Sequence, residues 1–183
     1  MTVTAAAVTA TAFVGTPAHA DTVVHLPGGE RTVGGFRFGN ADERAVISPA
    51  LNANGTGRTA WVSGVATATA PADSGAELEV GYIVGCQVDI TGLQGDLGAS
   101  IDLSSPTVSA GLSIPLRAGE VRYRKITDID LLDGRASIRY RDQGIEITEC
   151  GGYAQARSVT SVTTADGAHR FSGFLYGQPF SIG

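Results

Sequence analysis

The chain has 183 residues, a net charge of −5 and an isoelectric point near 5.1, with hydrophobic residues at 43%. An acidic balance excludes nucleic acid as a natural partner, because a phosphate backbone is held by clustered Lys and Arg. No run of about 18 apolar residues follows the first twenty positions, so a membrane-spanning helix is excluded there and any insertion into lipid must use strands.

Residues 1–20 are rich in Ala, Val and Thr and end Ala18-His19-Ala20, the small-x-small pattern of a cleaved secretion signal. They lack the usual basic n-region and carry none of the charge. Residues 21–183 then form the mature chain, a size that suits one domain. Glycine is abundant, at 25 of 183, and Val, Ile and Thr recur between clusters of Gly, Asp and Ser. That is the pattern of an all-β protein.

Taken in order, Thr22–Leu26, residues 32–38 and residues 44–48 read as short strands. Pro27-Gly28-Gly29 and Gly39-Asn40-Ala41-Asp42 are the turns between them. Residues 49–58 are a loop; Asn54-Gly55-Thr56 is formally a glycosylation acceptor but reads better as an Asn-Gly turn. Residues 59–70 form a strand carrying the single tryptophan, Trp61, and residues 71–75 turn out of it. Residues 76–90 give the clearest strand. Leu78, Val80, Tyr82, Val84, Cys86, Val88 and Ile90 hold one face, and Glu77, Glu79, Gly81, Gly85, Gln87 and Asp89 most of the other. Thr91-Gly92 then moves the apolar phase from even to odd positions, as a bulge or bend does where a strand leaves one sheet for another.

Residues 93–103 and 106–116 read as two eleven-residue strands joined by Ser104-Ser105. Leu93, Leu97, Ala99, Ile101 and Leu103 share one face of the first, opposite Gln94, Asp96, Gly98, Ser100 and Asp102. In the second, Pro106, Val108, Ala110, Leu112, Ile114 and Leu116 alternate with Thr107, Ser109, Gly111, Ser113 and Pro115. A two-residue turn pairs Ile101 with Val108 and Leu97 with Leu112, so the apolar faces coincide and so do the polar ones. Eleven residues rise roughly 37 Å, or about 26 Å along the membrane normal at a 45° tilt, close to the hydrocarbon thickness. An amphipathic hairpin of a water-soluble sandwich is the competing reading. Against it stand a length twice that of a usual strand and a polar face without Lys, Arg or Glu, whose small side chains suit an open lumen.

Beyond Arg117-Ala118-Gly119 the chain turns charged and bulky. Residues 120–132 form a strand of the body; 135–141 and 145–149 read as a hairpin around Asp142-Gln143-Gly144. Residues 153–164 and His169–Tyr176 are two more strands, followed by a tail at 177–183. Short strands at this spacing argue for a β-sandwich. Cys86 and Cys150, in an exported chain, most simply form one disulfide; two buried thiols or a metal pair are the alternatives.

Residues 78–85, Leu-Glu-Val-Gly-Tyr-Ile-Val-Gly, resemble the strand that precedes the pore hairpin in the MspA family of porins. Leu175-Tyr176-Gly177-Gln178-Pro179-Phe180 is similar to that family's C-terminal ending. The order of parts (signal, sandwich strands, hairpin, sandwich strands) is similar too, and the Cys86–Cys150 pair resembles the nocardial and rhodococcal branch. The resemblance implies a goblet-shaped ring, typically of eight subunits, alone or with a homologous sister subunit. Each subunit gives one hairpin (91–117) to a shared 16-stranded stem and one sandwich (21–90 with 118–183) to a rim. It implies a mycolic-acid outer membrane as the location, passive diffusion of small hydrophilic solutes and ions, and a cation preference from acidic stem residues. No cofactor is expected. Pore-lining positions are then Gln94, Asp96, Ser100, Asp102, Thr107, Ser109 and Ser113, with Asp102 nearest the tip. Lipid-facing positions are Leu93, Leu97, Ile101, Leu103, Val108, Leu112, Ile114 and Leu116. The hairpin is shorter than the mycobacterial pattern, has no cluster of adjacent Asp at its tip, and holds no aromatic residue between Val88 and Arg117.

Two other function classes compete with the pore. A secreted β-sandwich binding or adhesion module needs no pore. For an enzyme, His25 and His169 are the available bases, and no Gly-x-Ser-x-Gly elbow, metal-ligand spacing or phosphate loop accompanies them. Asp128, Asp130 and Asp133 do not match calcium-loop spacing and read as a solvated edge or vestibule wall.

Overall fold

The computed structural model describes residues 21–48, 57–71, 74–87, 113–115, 119, 121–148, 150, 152–166 and 169–183, with 113–115, 165–166 and 169–170 described by their backbone alone. Eleven strands form: β1 (Thr22–Leu26), β2 (Gly29–Val33), β3 (Phe36–Ser48), β4 (Arg58–Thr69), β5 (Ala76–Cys86), β6 (Ser113–Pro115), β7 (Val121–Asp130), β8 (Arg135–Thr148), β9 (Ala154–Asp166), β10 (His169–Tyr176) and β11 (Phe180–Ser181). A six-stranded sheet runs β1-β3-β4-β8-β6 with β2 also on β3, and a five-stranded sheet runs β10-β9-β5-β7 with β11 also on β9. Every pairing is antiparallel except β6 with β8.

The two sheets bury a common core because each strand carries one apolar face. Leu78, Val80, Tyr82, Val84 and Cys86 of β5 are buried, as the alternation in the sequence requires. They meet Val62 of β4, Ile145 and Ile147 of β8 and Phe38 of β3 from the opposite sheet. Phe180 and Ile182 close the core from the C-terminal segment, where the sequence reading saw only a tail.

One expected strand and two expected turns are corrected. Residues 32–38 do not form one strand: Gly34 and Gly35, both at positive φ, make the hairpin turn between β2 and β3, and Val33 pairs with Phe36. Gly39-Asn40-Ala41-Asp42 is not a turn but part of β3, where the register against β4 slips between Ala41 and Arg44 and Asp42 takes φ 53°. Nor do residues 135–149 fold into a hairpin. β8 is one strand of 14 residues, with a second irregularity opposite Val62 and Gly64 and Asp142 at φ 48°. Asp tolerates the left-handed region, so both Asp residues make bulges rather than reversals. The two bulges flank the same stretch of β4, around Ser63. There Asp142 accepts hydrogen bonds from Ser63 Oγ at 3.2 Å and Arg44 at 3.2 Å, and its own N–H donates to Ser63 Oγ at 2.9 Å.

Candidate functional site

The described residues on either side of 88–118 lie close together at one end of the sandwich. β5 ends at Cys86, and the last pair it makes with β7 is Gly85 with Val121. Gln87 N–H donates to the Tyr153 carbonyl at 2.9 Å, and Gly119 N–H, at φ 73°, donates to the Cys86 carbonyl at 3.1 Å. Gln87 and Gly119, which flank residues 88–118, thus adjoin neighbouring strands of the five-stranded sheet. Ser113–Pro115 adds its backbone to β8, parallel to Glu146–Thr148, at the edge of the six-stranded sheet.

The root is fastened by a disulfide between Cys86 and Cys150, Cα–Cα 5.9 Å, with both residues buried. It ties the end of β5 to the chain just past β8, bridging the two sheets. The expected disulfide is thus present, and neither cysteine is free.

Gln94, Asp96, Ser100, Asp102, Thr107 and Ser109 lie outside the described residues, as do Leu93, Leu97, Ile101, Leu103, Val108, Leu112 and Leu116. Ser113 and Ile114 are described through the backbone of β6 only. Residues 1–20 and Thr91-Gly92, where a bend is expected, also lie outside them.

A buried polar cluster sits inside the sandwich, at the floor of a groove of 740 Å³ that also takes in His25, Arg44 and Asp142. Glu43 is 2% exposed. Tyr140 Oη donates to Glu43 Oε1 at 3.4 Å, the Tyr82 and Tyr140 hydroxyls meet at 3.0 Å, and Asn40 donates to Ser158 Oγ at 3.3 Å. Glu43 Oε2 has no hydrogen-bond partner. Burial pushes the Glu43 carboxyl above the ordinary glutamate range, against the opposing pull of Ser158, Tyr140 and Asn40. Burial likewise raises Tyr82 and Tyr140, and the nearby Glu43 adds to both. Chemically the cluster can hold a proton, and it links the two sheets through polar contacts. The sequence carries a signal for it: Glu43 is in phase with buried Ala45, but a strand begun at Arg44 leaves it out.

Both sequence motifs have packing causes. Tyr123 lies over Gly81, and a Cβ there would strike its ring. Gly177 closes over the polar cluster: its N–H donates to the Ser158 carbonyl at 3.0 Å, and a Cβ would run into Ser158 Oγ and, at 2.9 Å, Glu43 Oε2. Phe180 then packs edge-on against Tyr82, centroids 6.4 Å apart.

Of the other candidates, His25 lines the groove beside Arg44, its partner in register on β3. Asp128 and Asp130 lie on β7, at the edge of the five-stranded sheet, where Lys125 binds Asp128 at 2.9 Å and Glu79 at 3.2 Å. Among the described residues no group of His, Cys, Asp and Glu is disposed to hold a metal ion, and no helix is long and apolar enough to cross a membrane.

No curated protein matches the chain. The family model named MspA matches residues 35–181, from the β2–β3 turn to the last strand. The chain belongs to the MspA family of porins.

Proposed function

We propose that the chain is one subunit of a ring-shaped channel in a mycolic-acid outer membrane, exported with loss of residues 1–20. In this reading residues 91–117 of each subunit form a two-stranded part of a shared barrel that passes ions and small hydrophilic solutes. The observation that carries it is the root geometry: the segment departs after Gln87 and returns at Gly119 onto the strand next to the one it left. A segment so anchored, whose sequence alternates apolar with small polar residues over two eleven-residue stretches, suits the boundary between lipid and water. One hairpin cannot close a barrel, since its open edges would leave backbone groups unpaired in lipid, so the function requires several copies. Eight copies would give sixteen strands.

In such a ring Asp96 and Asp102 become circles of like charge in a narrow aqueous passage, attracting cations and repelling anions. Detergent-extracted protein is expected as an oligomer that gives stepwise conductance in planar bilayers and a cation-positive reversal potential. The D96N/D102N double variant should keep the steps and lose most of the selectivity. A monomer without conductance would favour the binding-module reading, and unchanged selectivity would remove these two residues from the assignment.

A further inference from the structure

A closed ring is built from a heterologous contact, in which one surface of a subunit meets a different surface of the next. Resting on the ring reading above, we propose that these two surfaces are the outer faces of the two sheets. The outer face of the five-stranded sheet of one copy packs on the outer face of the six-stranded sheet of its neighbour.

The first ground is opposite charge at matching height. At the end of the sandwich away from the disulfide, the five-stranded sheet presents Glu77 opposite Asp130 and Glu79 opposite Asp128. The single Lys125 serves three of these four carboxylates, so the patch is net negative. At the same end the six-stranded sheet presents Arg135 opposite Thr69 and Arg139 opposite Val65. Both arginines are exposed and neither makes an ion pair among the described residues. The tight Leu131–Arg135 connection, with Leu132 bridged to Arg135, puts the end of β7 and the start of β8 at one level. The acidic and basic patches are therefore equally far from the root, and they point in opposite directions.

The second ground is apolar surface, also matched in height but at the root end. On the six-stranded sheet Trp61 is 42% exposed, lying over Gly144 with Val46 beside it. On the five-stranded sheet Tyr123 is 47% and Val121 63% exposed, next to half-buried Ile83. Each face thus carries charge toward the rim and aromatic surface toward the root. Turning one copy about the ring axis sets negative on positive and aromatic on aromatic without any vertical shift. Complementary charge fixes partner and register, and buried aromatic side chains hold the contact.

Two charge-reversed chains test this. R135E/R139E makes both faces acidic, and D128K/D130K makes both faces basic; all four positions are exposed. Each variant alone is expected to stay monomeric, with its disulfide formed and its thermal midpoint near the parent's, and to give at least tenfold fewer conductance events. Mixed one to one, the two should assemble into rings whose native mass shows equal numbers of each chain, because every contact then joins unlike charge. The neutral pair R139Q and D128N, which perturbs folding least, should raise the concentration for half assembly several-fold. The proposal falls if either reversed chain alone forms parent-like rings, or if the mixture recovers none. If the parent chain itself forms no ring, the channel reading fails, and the face pairing with it.

Discussion

The hydroxyls of Tyr82 on β5 and Tyr140 on β8 meet at 3.0 Å in the middle of the sandwich, their rings nearly perpendicular at 78°. Tyr140 is the central member, because it also donates to Glu43 from the far side. Y140F leaves the Tyr82 hydroxyl and Glu43 without that partner in the interior, which costs about 1–3 kcal/mol. Y82F removes one end of the chain and leaves the Tyr140–Glu43 contact, so it should cost less. Denaturant unfolding of the two variants in parallel checks the order; equal effects would mean that Tyr140 does not bridge.

Glu43 makes stability depend on pH in a direction opposite to most carboxylates. Its folded pKa is raised above the ordinary value of 4.5 by burial, so the folded chain holds a proton that the unfolded chain releases. Protons bound in excess by the folded state mean that stability falls as pH rises above about 4.5 and through the raised value. E43Q keeps the shape and supplies a neutral amide, so it should flatten this decline and raise the thermal midpoint at neutral pH. Melting curves across pH 4–8 would show it. A parent chain whose Glu43-dependent stability grew with pH would contradict a carboxyl whose proton affinity is raised by burial.

How much of this could be read from residues depends on whether one period or two were at work. β5 was legible because Leu78, Val80, Tyr82, Val84 and Cys86 are buried on one side throughout. β10 matched to the residue, and β1 did as well. The bulges at Asp42 and Asp142 were not legible as such, because an Asp in the left-handed region serves a turn and a bulge equally well. Only the length of apolar pairing on either side distinguishes them, and that pairing is long-range. Gly34-Gly35 was lost for the converse reason, lying between residues of suitable alternation. At the site, the disulfide was legible. The buried Glu43 cluster was not, since its members come from β3, β5, β8 and β9.

The bulge at Asp142 supports a sharper test. At φ 48° a β-branched residue is strained by about 1–3 kcal/mol, whereas Asn and Gly accept the conformation. The ion pair with Arg44 is exposed and contributes little, so the backbone and the Ser63 contacts dominate. D142N should be close to the parent, D142G slightly weaker, and D142V lower by about 2 kcal/mol. If D142V matched D142G in thermal denaturation, the left-handed bulge would not be a stability determinant.

The Cys86–Cys150 bridge spans a sequence separation of 64 and fastens both sheets at the root. Cross-linking a loop of that length stabilises by roughly 4 kcal/mol in the chain-entropy view, mainly by restricting the unfolded chain. C86A/C150A should lower unfolding stability by about that amount, and reduction of the parent should lower it similarly. The bridge also stands at the described end of β5, so its loss loosens that end of the sandwich first. Amide exchange at Gln87 and Gly119, whose N–H groups bond across the root, should then accelerate more than exchange at Leu78 in the core. Uniform acceleration at all three would mean that the bridge acts only through the unfolded chain. Selective acceleration at Gln87 and Gly119 would mean that it also holds the folded chain together where these two residues bond.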